Sequence, residues 1–316
     1  MSRAKVISFI NYKGGVGKTT TTYHIGCCLA QHYNKKVLFI DIDPQTNLTF
    51  LCSTIEKWEK HKDKFGTIAT LYQRFNKKIS LDTKKYIWRT PIELPGGGRL
   101  PNLDLLPCDI DLLGEDLGGG QVSGTYTSID ALGEHAKAFL RERKFLHNIV
   151  KEVEDNYDYI LIDCPPNIYL MTQNALVASN WYIITAIPDH LSTIGLSILQ
   201  KKVKGIGEYI RLADKFMGKE SINMRLSQLG GVIFVKVRIG GGLITNTHSD
   251  RMQRVGKDLG ADLCFKTYTT EMIGYSEAAE NSLPIWLQSS PNAKRVAKKQ
   301  EYNKITEEFL RRFERK

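Results

Sequence analysis

Lys13-Gly14-Gly15-Val16-Gly17-Lys18-Thr19-Thr20 decides how the rest of this chain is read. Phosphate-binding loops follow the pattern G-x-x-x-x-G-K-[ST]. Their backbone N–H groups cradle phosphates, the closing lysine reaches the β and γ oxygens, and the hydroxyl binds Mg²⁺. Lys18 and Thr19 fill those last two positions, while Tyr12 stands where the first glycine is usual and Lys13 adds a cation at the mouth of the loop. The flanks agree with the motif. Lys5 to Asn11 is apolar enough for a buried parallel strand, and Thr19 to Tyr33 reads as a helix, so strand, glycine loop and helix follow in the required order.

Further along, Lys36 to Gln45 gives a buried strand ending in Asp41 and Asp43, and Tyr157 to Pro166 gives another with Asp163 at its tip, in the manner of a Walker B aspartate. Carboxylates at the C-terminal ends of such strands face the crevice where open α/β sheets bind ligands. Asn102 to Leu112, Trp181 to Pro188, Gly230 to Val237 and Ala261 to Lys266 complete an expected doubly wound, mostly parallel sheet of about seven strands flanked by helices. Charge and reach suggest the chemistry. Mg²⁺ takes octahedral oxygen ligation with several retained waters. Thr19, phosphate oxygens and waters held by Asp41 and Asp163 supply that set, and Asp43 is placed to orient an attacking water.

The 316 residues are 42% hydrophobic and 25% charged, which suits a sizeable core. No stretch is apolar enough to span a membrane and none reads as a signal peptide, so a cytoplasmic protein is expected. The six cysteines lack C-x-x-C spacing and favour reduced core thiols over a disulfide or zinc framework. The net charge of +10 is unevenly placed. Residues 1–197 hold 22 Lys/Arg against 21 Asp/Glu, or +1, and residues 198–316 hold 22 against 13, or +9. Lys294, Arg295, Lys298, Lys299, Arg311 and Arg312 concentrate the excess near the end. Such clusters neutralise backbone phosphates in sequence-independent DNA binding, and they equally form solvated helix faces.

The K-G-G-x-G-K-T-T loop resembles that of the ParA/MinD superfamily of deviant Walker-box ATPases. Looser matches extend the likeness over most of the chain: N-L-D-L-L-P at 102–107, Asn174-Ala175-Leu176, Gly195-Leu196, Glu277-Ala278 and Leu283-Pro284-Ile285. The resemblance implies an ATP- and Mg²⁺-dependent, slow, partner-stimulated ATPase, with Lys13 to Thr20 on the nucleotide. It also implies a face-to-face homodimer in the ATP state, in which Lys13 crosses to the partner's ATP; within its own subunit Lys13 has no evident partner. By the same likeness the chain binds nucleoid DNA nonspecifically and positions a plasmid, chromosome or protein microcompartment with a ParB-like or McdB-like adaptor. No winged-helix extension precedes the first strand. The adenine contacts are expected from the loops after Val237 and Lys266, although Thr267-Tyr268-Thr269-Thr270 departs from the family's proline-bearing pattern there.

One domain is expected, with insertions near 53–65 and 114–150; each is a specificity element or a tolerated surface loop. A MinD-like membrane-surface ATPase is the alternative. It requires a C-terminal amphipathic helix, and Ile305, Phe309 and Phe313 do share one helical face. That spacing more often marks core packing, which speaks against the membrane. A redox relative such as nitrogenase iron protein lacks support, since Cys164 beside Asp163 has no matching second cysteine.

Overall fold

The computed structural model describes residues 3–117, 129–216, 226–271, 280–288 and 300–314. Its centre is a seven-stranded sheet in the order β3-β4-β2-β5-β1-β6-β7. The strands are β1 (Lys5–Ile10), β2 (Val37–Asp41), β3 (Trp88–Arg89), β4 (Leu103–Leu106), β5 (Tyr159–Asp163), β6 (Trp181–Ala186) and β7 (Gln228–Phe234). All neighbours pair in parallel except β3, which lies antiparallel along the edge of β4. The five residues of β2 and of β5 are all buried, as expected of strands covered by helices on both faces.

Ala261 to Lys266, expected to be a strand, is instead a 3₁₀ turn over Ala261–Leu263 followed by a single bridge from Cys264 to Val232. Gly260, at φ 110°, turns the chain too close to the sheet edge for a ladder to extend. The seventh strand is β3. Arg89 holds it there by donating to the Asp104 carboxylate and to the Tyr157 hydroxyl, and Tyr157 donates to Asp104 in turn.

Helix α1 (Lys18–Tyr33) follows the loop and is buried along most of its length. Gly26 lets it lie against β2, because a Cβ there would stand 2.1 Å from the Phe39 ring. Next in chain order come α2 (Asn47–Cys52), α3 (Ile55–Phe65), α4 (Ile68–Asn76), α5 (Leu112–Leu117), α6 (Ile129–Glu142), α7 (Phe145–Val153), α8 (Leu170–Ala178), α9 (His190–Phe216), α10 (Asn246–Leu259) and α11 (Glu301–Phe313). The Lys-rich stretch 56–64 forms most of α3, and the stretch around 135–153 forms α6 and α7. The glycine-rich segment beyond Leu117 lies outside the described residues.

On one sheet face the core gathers Val6, Ile10, Leu38, Ile40, Ile160 and Ile162. On the other, Ile7, Phe9, Phe39 and Leu161 meet Tyr302, Ile305, Phe309 and Phe313 of α11. The apolar face of the last helix is therefore spent on the core, and the membrane alternative loses the feature it required. Among the described residues no helix is long and apolar enough to cross a membrane. All six cysteines are free thiols, five of them buried. Burial pushes the Cys28 thiol up to about 12, so it stays protonated and unreactive at neutral pH.

Candidate nucleotide site

The register of the sheet assembles the site. Asp41 and Asp163 are direct partners across β2 and β5, and Asp163 pairs with Phe9 of β1, one residue before that strand ends. Both carboxylates thus lie at the C-terminal edge where β1 feeds the phosphate loop, the usual ligand crevice of such sheets. Gly15 and Gly17, at φ 72° and 71°, take the left-handed conformation that bends the loop. The N-terminus of α1 has no side-chain cap and no acidic residue in its first turn, which leaves its amides and dipole open to an anion. Gly14 to Thr20, Asp43, Gln45, Asn47, Phe50, Leu51, Pro166 and Lys236 line a cleft of about 560 Å³.

Lys18 is 6% exposed, and its Nζ stands 3.4 Å from the carbonyl of Lys13. Asp163 is fully buried. Burial first, and then the neighbouring Asp41 charge, push its carboxyl well above the ordinary range, against hydrogen bonding from Thr19 and the charge of Lys18. Its Oδ2 has no hydrogen-bond partner. A buried carboxylate oxygen left orphaned costs stability unless a ligand meets it. Asp41 is placed differently. Its Oδ2 accepts from the amide and hydroxyl of Thr49, at 2.9 and 2.7 Å, and its Oδ1 accepts from the amide of Asp43 at 3.1 Å. Burial raises its carboxyl as well, to about 7, with those hydrogen bonds acting in the opposite sense. The structure thus makes Asp163 the better-fitted metal-side carboxylate and ties Asp41 to the backbone that shapes the turn to Asp43. Asp43, 4% exposed, accepts the amide of Gln45 at 3.0 Å and faces the cleft.

Among the described residues no group of three His, Cys, Asp or Glu side chains could hold a metal alone. A divalent cation here would depend on phosphate oxygens and waters beside Thr19 and Asp163, which is how Mg²⁺ is commonly bound at nucleotides.

Lys13 departs from expectation. It has a partner in its own chain, since its Nζ lies 3.7 Å from Oδ1 of Asp189, just after β6, with the two side chains 29% and 44% exposed. Tyr12 reaches the same neighbourhood. A Cβ on Gly195 of α9 would sit 1.7 Å from the Tyr12 hydroxyl, so Gly195 makes room for the residue that replaces the loop's first glycine. The loops after Val237 and Lys266 do come together, through a parallel bridge from Val237 to Thr270 and the Val237 amide donating to the Thr269 carbonyl.

A family model described as an AAA domain, AAA_31, matches residues 4–215. The chain belongs to this family. Sporulation initiation inhibitor protein Soj of Bacillus subtilis is 33% identical over 206 residues, 65% of this chain and 67% of that protein. The chromosome-partitioning ATPase Soj of Treponema pallidum is 28% identical over 311 residues, 98% of each chain. Among solved structures, apo McdA of Cyanothece superposes with a TM-score of 0.66 at 19% identity, over 97% of this chain and 99% of that one, and shares the fold. The protein is thus a ParA-like ATPase.

For this ParA-like chain the sequence-predicted basic residues divide. Lys294, Arg295, Lys298 and Lys299 lie outside the described residues. Arg311 is exposed on α11. Arg312 is engaged within the fold: its guanidinium donates to Glu308 and to the carbonyls of Asp262 and Cys264, and covers the Phe265 ring at 4.2 Å. The sequence reading did not single out Thr49 or Asp189. Their signals are contacts between distant positions, which no local pattern carries.

Proposed function

We propose that this chain is a nucleotide-switched positioning ATPase that pairs face to face around ATP, binds DNA nonspecifically in that state, and moves a cargo with an adaptor that stimulates hydrolysis. The observation that carries the reading is the placement of Lys13. It projects from the mouth of the cradle onto the partly exposed Asp189 rather than into its own phosphate cleft. A half-exposed ion pair is worth little, so a triphosphate presented by a second copy can draw Lys13 away. A cation supplied in trans accelerates phosphoryl transfer only when it reaches the charge developing there.

Within one subunit, Lys18 and the loop amides hold the phosphates. Thr19 and Asp163 would hold Mg²⁺, which supplies neutralising charge at the β and γ oxygens. Asp43 positions the attacking water. Nucleotide then acts as the adhesive of the dimer, and hydrolysis removes the contacts that favour it. Exposed Lys201, Lys202, Lys204, Arg211 and Lys215 on α9, with Arg254 and Lys257 on α10, provide phosphate-neutralising charge. A cytoplasmic, nucleoid-associated protein follows from the same reading, and so does a ParB-like or McdB-like adaptor.

The test compares wild type with Lys13→Ala, by light scattering with a non-hydrolysable ATP analogue and by co-sedimentation with nonspecific duplex DNA or anionic liposomes, each with ATP and ADP. Wild type should dimerise and retain DNA with ATP alone. Lys13→Ala should bind ATP yet remain monomeric and lose DNA. Liposome binding that depends on ATP, without DNA binding, would overturn the proposal.

A further inference from the structure

The phosphate cleft carries a third lysine that comes from neither the loop nor its helix. Lys236 follows β7, and its backbone adopts φ 53°, a conformation that side-chain-bearing residues take at a cost and keep where surrounding contacts impose it. The contacts are on the page. Its amide donates to Oγ1 of Thr269, and its Nζ donates to the carbonyl of Gly15 at 3.1 Å. The preceding residue, Val235, abuts the same loop, standing 3.3 Å from where a Cβ of Gly17 would lie. The end of β7 is thus fitted against the phosphate loop, with the ammonium group of Lys236 in the cleft wall.

Strand order says which part of a nucleotide it meets. Asp41, Asp43 and Asp163 belong to β2 and β5, on one side of β1, and mark the metal and γ-phosphate end. Lys236 belongs to β7, two strands away on the other side of β1. A nucleotide lying along the loop with its γ-phosphate toward the aspartates has its α- and β-phosphates nearer β7. We infer that Lys236 is a binding residue supplied in cis to the non-transferred phosphates of the bound nucleotide, so that it holds ATP and ADP alike. This rests on the reading of the cleft as an ATP site, and it gives the chain a division of labour. Lys13 answers to the γ-phosphate state across the dimer, and Lys236 keeps the nucleotide in place through hydrolysis.

Dissociation constants for ATP and ADP, measured by calorimetry on the full chain for wild type, Lys236→Gln and Lys236→Arg at low and high salt, decide the matter. Glutamine retains an N–H donor for the Gly15 carbonyl but no charge, so it separates a phosphate contact from a mere brace on the loop. The expected result is a loss of roughly tenfold for both nucleotides in Lys236→Gln, by the same factor for each, shrinking at high salt, with Lys236→Arg close to wild type. Unchanged affinities in Lys236→Gln overturn the assignment. A loss confined to ATP also overturns it, since the contact would then be to the γ-phosphate. If wild type binds neither nucleotide, the reading of the cleft itself fails and takes this one with it.

Discussion

The nucleotide crevice and the C-terminal helix α11 both concentrate charge beside a buried apolar core, and they differ in how that charge is met. In the crevice, Asp163 is fully buried with an unpartnered carboxylate oxygen, while Lys18 is 6% exposed and has a distant carbonyl 3.4 Å away. On α11, burial acts to raise the Glu308 carboxyl, yet Arg312, the amides of Lys266 and Thr267 and the Thr267 hydroxyl hold it below its ordinary range. One region keeps polar capacity that nothing in the chain satisfies; the other satisfies everything it buries. Unmet buried polarity is costly, and a fold retains it where a ligand completes the set. The two regions should therefore fail differently when mutated.

The largest effect is expected at Lys18. Lys18→Ala removes the cation that faces the phosphates, and truncating one member of a desolvated charge pair costs about 2–5 kcal/mol, or roughly 30- to 5,000-fold in affinity. Calorimetric titration should show ATP binding lost or reduced on that scale. Urea unfolding of the free protein should stay within about 1 kcal/mol of wild type, because Lys18 supports little of the fold. A large fall in stability would erase the contrast drawn above.

The second effect belongs to α11. Phe309 is fully buried and lies 4.7 Å from the Phe313 ring and 5.7 Å from the Tyr159 ring. Phe309→Ala should cost about 3–5 kcal/mol of unfolding free energy through lost burial and the cavity left behind. Below the unfolding transition, ATP affinity should be unchanged. A helix held only loosely for later insertion into a membrane would lose far less, so a small effect in urea unfolding would restore the membrane alternative.

The same contrast explains what was legible in the sequence. Strand, loop and helix around Lys13 to Thr20 were readable because phosphate binding constrains adjacent residues, and the carboxylates because they close apolar strands. The Ala261 to Lys266 segment misled because its apolar content matches an edge strand. What decides its conformation is Gly260 and the single Val232 bridge, which are features of geometry rather than pattern. The two-residue β3 was too short to read and depends on Asp104 and Tyr157, 15 and 68 positions from Arg89. Asp189 was invisible as the partner of Lys13 for the same reason: the pair bridges two strand ends that only the sheet order brings together. Arg312 counts as a basic residue in any sequence tally, yet its donors are spent inside the chain.

The smallest effect sits where the two regions meet. His24 of α1, one turn beyond the loop, stacks on Tyr302 of α11 with ring centroids 4.5 Å apart. Its Nε2 accepts the Ile285 amide at 3.2 Å, which leaves the proton on Nδ1 to donate to the Thr20 carbonyl at 2.8 Å. Burial lowers its pKa to about 4, with the Thr20 carbonyl opposing. Because the folded value lies below the unfolded one of about 6.5, the neutral ring contributes stability that is complete above pH 6.5 and is lost as pH falls toward 4. Linkage puts the loss between pH 7.5 and 5 at about 2 kcal/mol. Urea unfolding at those two pH values should show that fall in wild type and a shallower one in His24→Gln, which starts from a lower stability at pH 7.5 because it forfeits the stack. An equal pH slope in both proteins would mean that the ring is charged or hydrated in the folded state. The junction would then belong with the crevice, as a place where the fold leaves polarity to be completed by something else, rather than with the satisfied interior of α11.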